Sequence, residues 1–421
     1  MNSPKTAILA TLKAVKKAAQ ELRSSKTATK NTVLLEAARL LKHRQEEILA
    51  ANAQDLAALP ADSSNAFRDR LALDPKRVEQ MITGLEQVAL LPDPVDEITE
   101  FKTLSNGLKV SRVRAPLGVI LMIFESRPNV AVEAFSLALK SGNVIILRGG
   151  KESMHTTTVL YSLLGEALSL GGLSGSCLWG ITDPDRSLIE LLLKQATFID
   201  VVVPRGGSKL IEFVVENARM PIIKNDRGLC HVYVHDDADL EMAIKIVVNA
   251  KTQRPGVCNA METLLVHRDR AGELIPKLYE KTSNIGLAWF CCPQSAALLK
   301  GRTHVHAATQ DSWDTEYLDL KMNCKIVDSL EDAMAHIEMH GSRHSEAIVT
   351  NSFKAAKVFQ SSIDAAAVYW NASTRFTDGF ELGLGGELGI STQKLHVRGP
   401  VGLRELTSLR WIIDGEGQTR A

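Results

Sequence analysis

From position 117 onward, short and continuously apolar runs alternate with stretches of helical spacing, and that alternation constrains the fold more than any other feature of the chain. Strands are predicted at 117–124, 143–148, near 177–181 and at 198–203, with helices at 130–140, 156–168, 186–194 and 209–218. The runs 144–147 and 201–203 lack polar alternation, as strands covered on both faces require. Strands alternating with helices in this way build a doubly wound parallel sheet, because the crossovers lay helices on both of its faces. Pro128 suits a first helical turn, where an N–H is dispensable, and Gly142 suits a helix stop.

The same text continues beyond this block. A strand at 231–234 is followed by Asp236, Asp237 and Asp239, which are expected to cap a helix reaching about 250. Further strands are read at 262–266 and 368–371, and Leu409, Trp411 and Ile413 alternate like a strand in the tail. The first hundred residues read as helices. Leu9, Leu12, Val15 and Leu22 give one apolar face, and Val33, Ala37, Leu40, Leu41 and Ile48 give another along a single stretch at 32–50. Between 101 and 116, Asn106 and Gly107 are expected to supply the positive backbone angles of a tight hairpin turn.

At 421 residues, 45% hydrophobic and 23% charged, the chain has material for two or three cored domains and is neither disordered nor fibrous. Its 49 basic and 49 acidic residues cancel, so no global field draws it to nucleic acid or to an anionic membrane. A charged ligand must be held by a local pocket. The longest clean apolar run, 117–124, is far short of the ~20 residues of a spanning helix, so a soluble chain is expected. The lysine-rich stretch 5–30 is interrupted by Glu21 and suits a folded helix better than a transit peptide. Six cysteines without regular spacing speak against a disulfide framework and for a reducing compartment.

Two glycine pairs follow buried strands, one in Arg148-Gly149-Gly150-Lys151 and one in Pro204-Arg205-Gly206-Gly207-Ser208. Neither is a G-x-G-x-x-G fingerprint. Each is either an ordinary strand-to-helix turn or an anion seat, since such a turn offers backbone N–H groups and a positive helix end to a phosphate. Arg148 and Lys151 are positioned to hold an additional phosphate. Cys258 lies in a loop, Arg254-Pro255-Gly256-Val257-Cys258-Asn259, and is either a nucleophile helped by nearby Lys251 and Arg254 or a small buried hydrophobe. The other five cysteines look like packing residues. Cys291 and Cys292 with His304 and His306 lack zinc-site spacing, and no metal site is expected. His336, His340 and His344 read as a solvated face.

A resemblance adds to these readings. The segments Arg114-Ala115-Pro116-Leu117-Gly118-Val119, Arg127-Pro128-Asn129, Ile146-Leu147-Arg148-Gly149-Gly150, Pro204-Arg205-Gly206-Gly207 and Cys258-Asn259-Ala260-Met261-Glu262-Thr263 resemble the aldehyde dehydrogenase superfamily, and within it the branch that reduces gamma-glutamyl phosphate. The likeness continues through Asn371-Ala372-Ser373-Thr374-Arg375-Phe376-Thr377-Asp378-Gly379 and Ser391-Thr392-Gln393-Lys394-Leu395-His396, and so spans essentially the whole chain.

That resemblance implies an aldehyde dehydrogenase-like α/β fold in three parts. These are a Rossmann-type NADPH-binding domain (1–100 and 117–229), an α/β catalytic domain carrying the nucleophile (230–398), and a small β oligomerisation element (101–116 and 399–421). It implies NADPH-dependent reduction of L-glutamate 5-phosphate to L-glutamate 5-semialdehyde and phosphate, on the way to proline. Cys258 matches the nucleophile, and Asn129 the amide that, with the cysteine N–H, forms the oxyanion hole. Arg148 falls at the adenosine ribose with Lys151 beside it, Gly206, Gly207 and Ser208 at the pyrophosphate turn, and Glu316 at the nicotinamide ribose. Ser373, Thr374 and Arg375 are the candidates for the substrate's anionic groups, with Lys251 and Arg254 as alternatives and an Arg375–Asp378 pair as the competing structural reading. A cytoplasmic homo-oligomer is implied, with glutamate 5-kinase as a possible associate.

Hydrolytic members carry a water-activating glutamate where this chain has Asn225-Asp226-Arg227-Gly228, and a thioester destined for reduction gains nothing from activated water. Asp226, Arg227, Phe380 and Leu121 depart from the branch's more usual glycines. Two other classes compete. A non-catalytic dinucleotide-binding assembly protein would not need Cys258 and Asn129, and a papain-type hydrolase needs a histidine partner that no local motif supplies.

Overall fold

The computed structural model describes residues 4–224 and 227–420. The chain forms two compact units, one of Met1–Lys224, Gly383–Gly389 and Pro400–Ala421, the other of Asn225–Leu382 and Ile390–Gly399.

The first unit opens with helices α1 (Pro4–Leu22), α2 (Thr27–His43), α3 (Gln45–Ala57), α4 (Asn65–Leu71) and α5 (Pro75–Leu90). On α1, Leu12, Val15 and Leu22 are buried as the spacing predicts, but Leu9 is exposed. The single stretch read at 32–50 is broken at Arg44, whose φ of −110° and ψ of 24° leave helical geometry. The break is a tertiary effect. It sets off α3, whose buried Asp55 accepts the N–H groups of His155 and Thr156 at 3.0 and 2.8 Å. A continuous apolar period carries no trace of that requirement.

Next come the hairpin strands β1 (Ile98–Thr103) and β2 (Lys109–Pro116). Their turn uses one positive φ instead of two. Gly107 stands at 88°, whereas Asn106 stays at negative φ and its side chain accepts the Leu108 N–H at 3.2 Å. The Leu104 N–H donates to the Leu108 carbonyl, closing a three-residue loop, a class that needs only its last residue left-handed.

The α/β block follows as β3 (Val119–Phe124), α6 (Asn129–Lys140), β4 (Val144–Arg148), α7 (Met154–Leu170), β5 (Leu178–Ile181), α8 (Arg186–Leu193), β6 (Val201–Arg205) and α9 (Ser208–Asn217). The strands lie in the order β5-β4-β3-β6, all parallel. Every residue of β3 is buried, which is why its sequence shows no alternation. The strand order reverses at β3, with β4 and β5 on one side and β6 on the other, the kind of switch point at whose carboxyl ends open α/β sheets bind ligands.

The second unit contains β7 (Cys230–Val234), α10 (Leu240–Thr252), β8 (Met261–His267), α11 (Arg268–Thr282), β9 (Ala288–Cys291), α12 (Pro293–Leu298), β10 (Val305–Ala307), β11 (Lys321–Val327), α13 (Leu330–His340), β12 (Ser345–Val349), α14 (Phe353–Ser362) and β13 (Ala367–Trp370). Its seven strands, ordered β10-β9-β11-β8-β7-β12-β13, are parallel throughout. Val232, Leu264 and Trp289 pack on one face with α10 and α11, while Tyr233, Leu265 and Ile348 face α13 and α14 on the other. Each such fully buried aliphatic side chain contributes about 1.5–3 kcal/mol.

Two expectations change in this unit. Asp239 alone caps α10, accepting the Met242 N–H at 2.7 Å, whereas Asp237 accepts the Thr350 hydroxyl at 2.6 Å. The three histidines are not solvated, since His336, His340 and His344 are all buried. His336 sits edge-on to Trp313 and His231, with ring centroids at 5.4 and 5.5 Å, and burial pushes its imidazole down to about 2, which keeps it neutral. Helical spacing tells which residues share a face, not what covers that face.

The strands β14 (Ile390–Ser391) and β15 (Gly399–Pro400) form a two-residue ribbon. Then β16 (Thr407–Asp414) pairs antiparallel with β2, completing a three-stranded sheet β1-β2-β16. Phe101, Trp411 and Ile413 of this sheet are exposed. No helix among the described residues is long and apolar enough to cross a membrane.

Candidate active site

In the second unit, α10 ends at Thr252, Pro255 and Gly256 turn the chain, and β8 starts at Met261. Cys258 is therefore held in a short loop at the amino end of a central strand. It is partly exposed, whereas Cys177, Cys230, Cys291, Cys292 and Cys324 are buried as packing residues. The loop is clamped from several sides. The Cys230 thiol donates to the Cys258 carbonyl at 3.2 Å, and burial raises the pKa of that thiol well above its usual range, so it stays protonated. The buried Asn259 amide donates to the Thr377 carbonyl at 2.8 Å, and the Thr374 hydroxyl donates to the Asn259 carbonyl at 2.7 Å.

These contacts bring the 373–378 segment against the nucleophile loop and show what its candidate residues do. Thr374 is buried and committed to Asn259. Ser373 is buried and its hydroxyl accepts the Arg375 N–H at 3.3 Å. Arg375 is half-buried, and its Nε donates to Gln253 Oε1 at 2.8 Å. The competing reading, a pair with Asp378, is not formed among the described residues; Asp378 Oδ1 accepts the Phe380 and Glu381 N–H groups. Burial lowers the Arg375 pKa, while the charges of Asp378 and Cys258 act to raise it, which sets a guanidinium in the electrostatic neighbourhood of the thiol. Arg254 is exposed. Lys251, by contrast, is fully buried with its ammonium 2.8 Å from the Glu262 carboxylate, so it points to no substrate.

One residue of this site was not picked out from the sequence. A Cβ on Gly228 would lie 2.0 Å from the Cys258 carbonyl oxygen and 2.5 Å from its Cα, so only glycine lets these backbones meet. The Gly228 N–H donates to Glu316 Oε1 at 2.8 Å, which ties Glu316 to the nucleophile loop through a single residue. The only signal in the sequence was a lone glycine after Arg227. Arg227 donates to the Asp314 carbonyl at 3.2 Å, while Asn225 and Asp226 lie outside the described residues.

In the first unit the other candidates collect at the carboxyl ends of the parallel strands. Gly206 and Gly207 follow β6, and Ser208 begins α9. The turn is exposed and the space beside Gly207 is open. Its N–H donates to Glu125 Oε2 at 2.9 Å, so the donor already serves an oxyanion, and a phosphate oxygen suits the same position. Glu125 was unreadable from sequence, where it is one more polar residue after a strand. Arg148 ends β4 and donates to the Pro184 carbonyl at 3.2 Å; burial lowers its pKa and the nearby Glu152 acts against that. Lys151 is exposed one turn later. Asn129 is the first residue of α6, and its amide makes no hydrogen bond among the described residues. A strand-end arginine, an adjacent lysine and an exposed glycine turn together suit a phosphorylated dinucleotide.

Comparison with known proteins agrees with this architecture. The chain belongs to the aldehyde dehydrogenase family, whose sequence profile matches residues 2–288. That family uses a nicotinamide dinucleotide. Within it, similar proteins are named gamma-glutamyl phosphate reductase. The protein of that name from Moorella thermoacetica is 49% identical over 96% of this chain and 96% of its own length. A crystal structure of gamma-glutamyl phosphate reductase from Thermotoga maritima matches with a TM-score of 0.94 at 43% identity, covering 98% of this chain and 99% of that one. An engineered glycolyl-CoA reductase with bound NADP+ shares the fold at a TM-score of 0.69 and 14% identity, over 96% of this chain and 95% of its own.

Proposed function

We propose that this chain catalyses the NADPH-dependent reduction of L-glutamate 5-phosphate to L-glutamate 5-semialdehyde and phosphate, a reading supported by relatives named gamma-glutamyl phosphate reductase. The observation that carries the reading is the Cys258 loop, whose backbone is held through Asn259, Thr377 and Gly228 and which carries one partly exposed cysteine while the other five are buried.

The Cys258 thiolate attacks the acyl-phosphate carbonyl, forming a carbon–sulfur bond. The Cys258 N–H stabilises the oxyanion, whose collapse expels phosphate and leaves a thioester. When bound, NADPH would supply a hydride to the thioester carbonyl. The resulting thiohemiacetal releases aldehyde and restores the thiolate. Arg148 and Lys151 hold the 2′-phosphate, Gly206, Gly207 and Ser208 the pyrophosphate, and Glu316 the nicotinamide ribose. Arg375, beside Cys258, meets an anionic group of the substrate, with Ser373 and Thr374 shaping its loop. The β1-β2-β16 sheet, with its exposed Phe101, Trp411 and Ile413, joins copies into a homo-oligomer. The enzyme works in a reducing cytoplasm, and the short-lived acyl phosphate favours association with glutamate 5-kinase.

The test runs the reaction backwards, measuring phosphate- or arsenate-dependent reduction of NADP by the semialdehyde. Wild type should show it, and Cys258→Ala should abolish it; retention by the variant would end the covalent mechanism. Sedimentation at micromolar concentration checks the assembly, which a monomer would refute.

A further inference from the structure

Beneath the nucleophile loop of the second unit lies an ion pair that the chemistry above does not use. Lys251 and Glu262 are 0% and 1% exposed, with Nζ and Oε2 2.8 Å apart. They bracket the loop, Lys251 in the last turn of α10 and Glu262 as the second residue of β8. The second oxygen of Glu262 is also engaged, since Oε1 accepts the Leu318 N–H at 3.2 Å. Leu318 has a φ of 51°, in the left-handed region that non-glycine residues rarely adopt, so its backbone needs an external hold. Two residues earlier, Glu316 accepts the Gly228 N–H, and Gly228 rests on the Cys258 backbone. Burial raises the Glu262 pKa to about 7 against the pull of Lys251, as a carboxylate with so little solvent requires.

We infer that Glu262 is a positioning residue, which by holding the Leu318 N–H fixes the loop that presents Glu316 and so joins the cofactor-binding carboxylate to the nucleophile loop. The inference rests on the proposed function for the role of Glu316. A buried ion pair alone is weak evidence of purpose, because an apolar pair of similar volume often serves stability as well. The Leu318 bond is what sets this pair apart, and it can be removed separately from the charges.

Two double variants make that separation, each deleting both charges so that neither is left buried alone. Lys251→Met with Glu262→Gln keeps an oxygen for the Leu318 N–H; Lys251→Met with Glu262→Leu removes it. The readout is the Kd for NADPH from nucleotide fluorescence, which does not depend on turnover. The glutamine variant should bind within about twofold of wild type, and the leucine variant about five- to tenfold more weakly. With Glu316→Ala added to both, the difference between them should vanish, as it does when one residue acts through another. Equal binding by the two variants, or a difference that survives Glu316→Ala, would overturn the inference. Wild type that binds NADPH yet fails to reduce the acyl phosphate would defeat the proposed substrate and leave this comparison of Kd values intact.

Discussion

Two glycine amides, one in each unit, donate to glutamates in opposite settings. In the first unit Gly207 is exposed, and Glu125, which receives its N–H, is exposed as well. In the second unit Gly228 is buried, Glu316 receives its N–H, and the Cys258 backbone fills the space a side chain would need. The first contact exchanges readily with water or another anion. The second cannot shift without moving the nucleophile. A group that arrives and leaves in each cycle calls for the former, and a covalent catalyst that must return to the same position calls for the latter. Substitutions that move the Cys258 loop should therefore act on turnover and folding, and those at the first unit's strand ends on cofactor affinity.

The largest effect should come from Cys258→Ala, with kcat reduced by about 10^3-fold or more in the NADP-reduction assay. Gly228→Ala should come next. Its Cβ would meet the Cys258 backbone at 2.0 Å, and a displacement on the order of 1 Å at the nucleophile costs about 10^2-fold in kcat, with a lowered Tm. A Gly228→Ala protein that kept kcat and lost only NADPH affinity would erase the distinction between the units. In the first unit, Arg148→Ala should raise KM for NADPH about tenfold, the scale of one charge-assisted hydrogen bond, while KM for NADH and kcat stay near wild type. Equal effects on the two nucleotides would remove Arg148 from the 2′-phosphate.

The smallest effect concerns Asp364, which receives Lys394 and Arg398 at 2.8 and 2.6 Å. These bonds hold its carboxyl at about 2, Lys394 contributing most. A depressed carboxylate stabilises the fold above its unfolded pKa of about 3.9 and loses that contribution as pH falls toward 2. Because the groups are partly exposed, Asp364→Asn should lower Tm by only about 2 °C at pH 7, measured by thermal melts, with the gap to wild type closing in acid.

How much of this was legible follows from what each signal encodes. The strands β3, β4 and β6 were readable because burial on both faces leaves a run of apolar residues, and Cys258 because Pro255 and Gly256 put it in a loop. The resemblance added Asn129 and Glu316 as candidates. What escaped depends on partners far away in sequence. Gly228 matters because of residue 258, the break at Arg44 because of what Asp55 must reach at 155 and 156, and the burial of His336 because of Trp313 and His231. From sequence Lys251 reads as a helper of Cys258 or an alternative contact for the substrate's anionic groups, and its burial against Glu262 escapes, since spacing cannot show that a lysine has no exposed surface.

The distribution of thiols gives the protein an internal standard. Five sulfurs are enclosed and one, on Cys258, is partly exposed. A native sample titrated with an aromatic disulfide reagent should therefore release about one equivalent of chromophore per chain quickly, and the remainder only on unfolding. That stoichiometry would count competent chains directly and let rates be normalised to working enzyme instead of total protein.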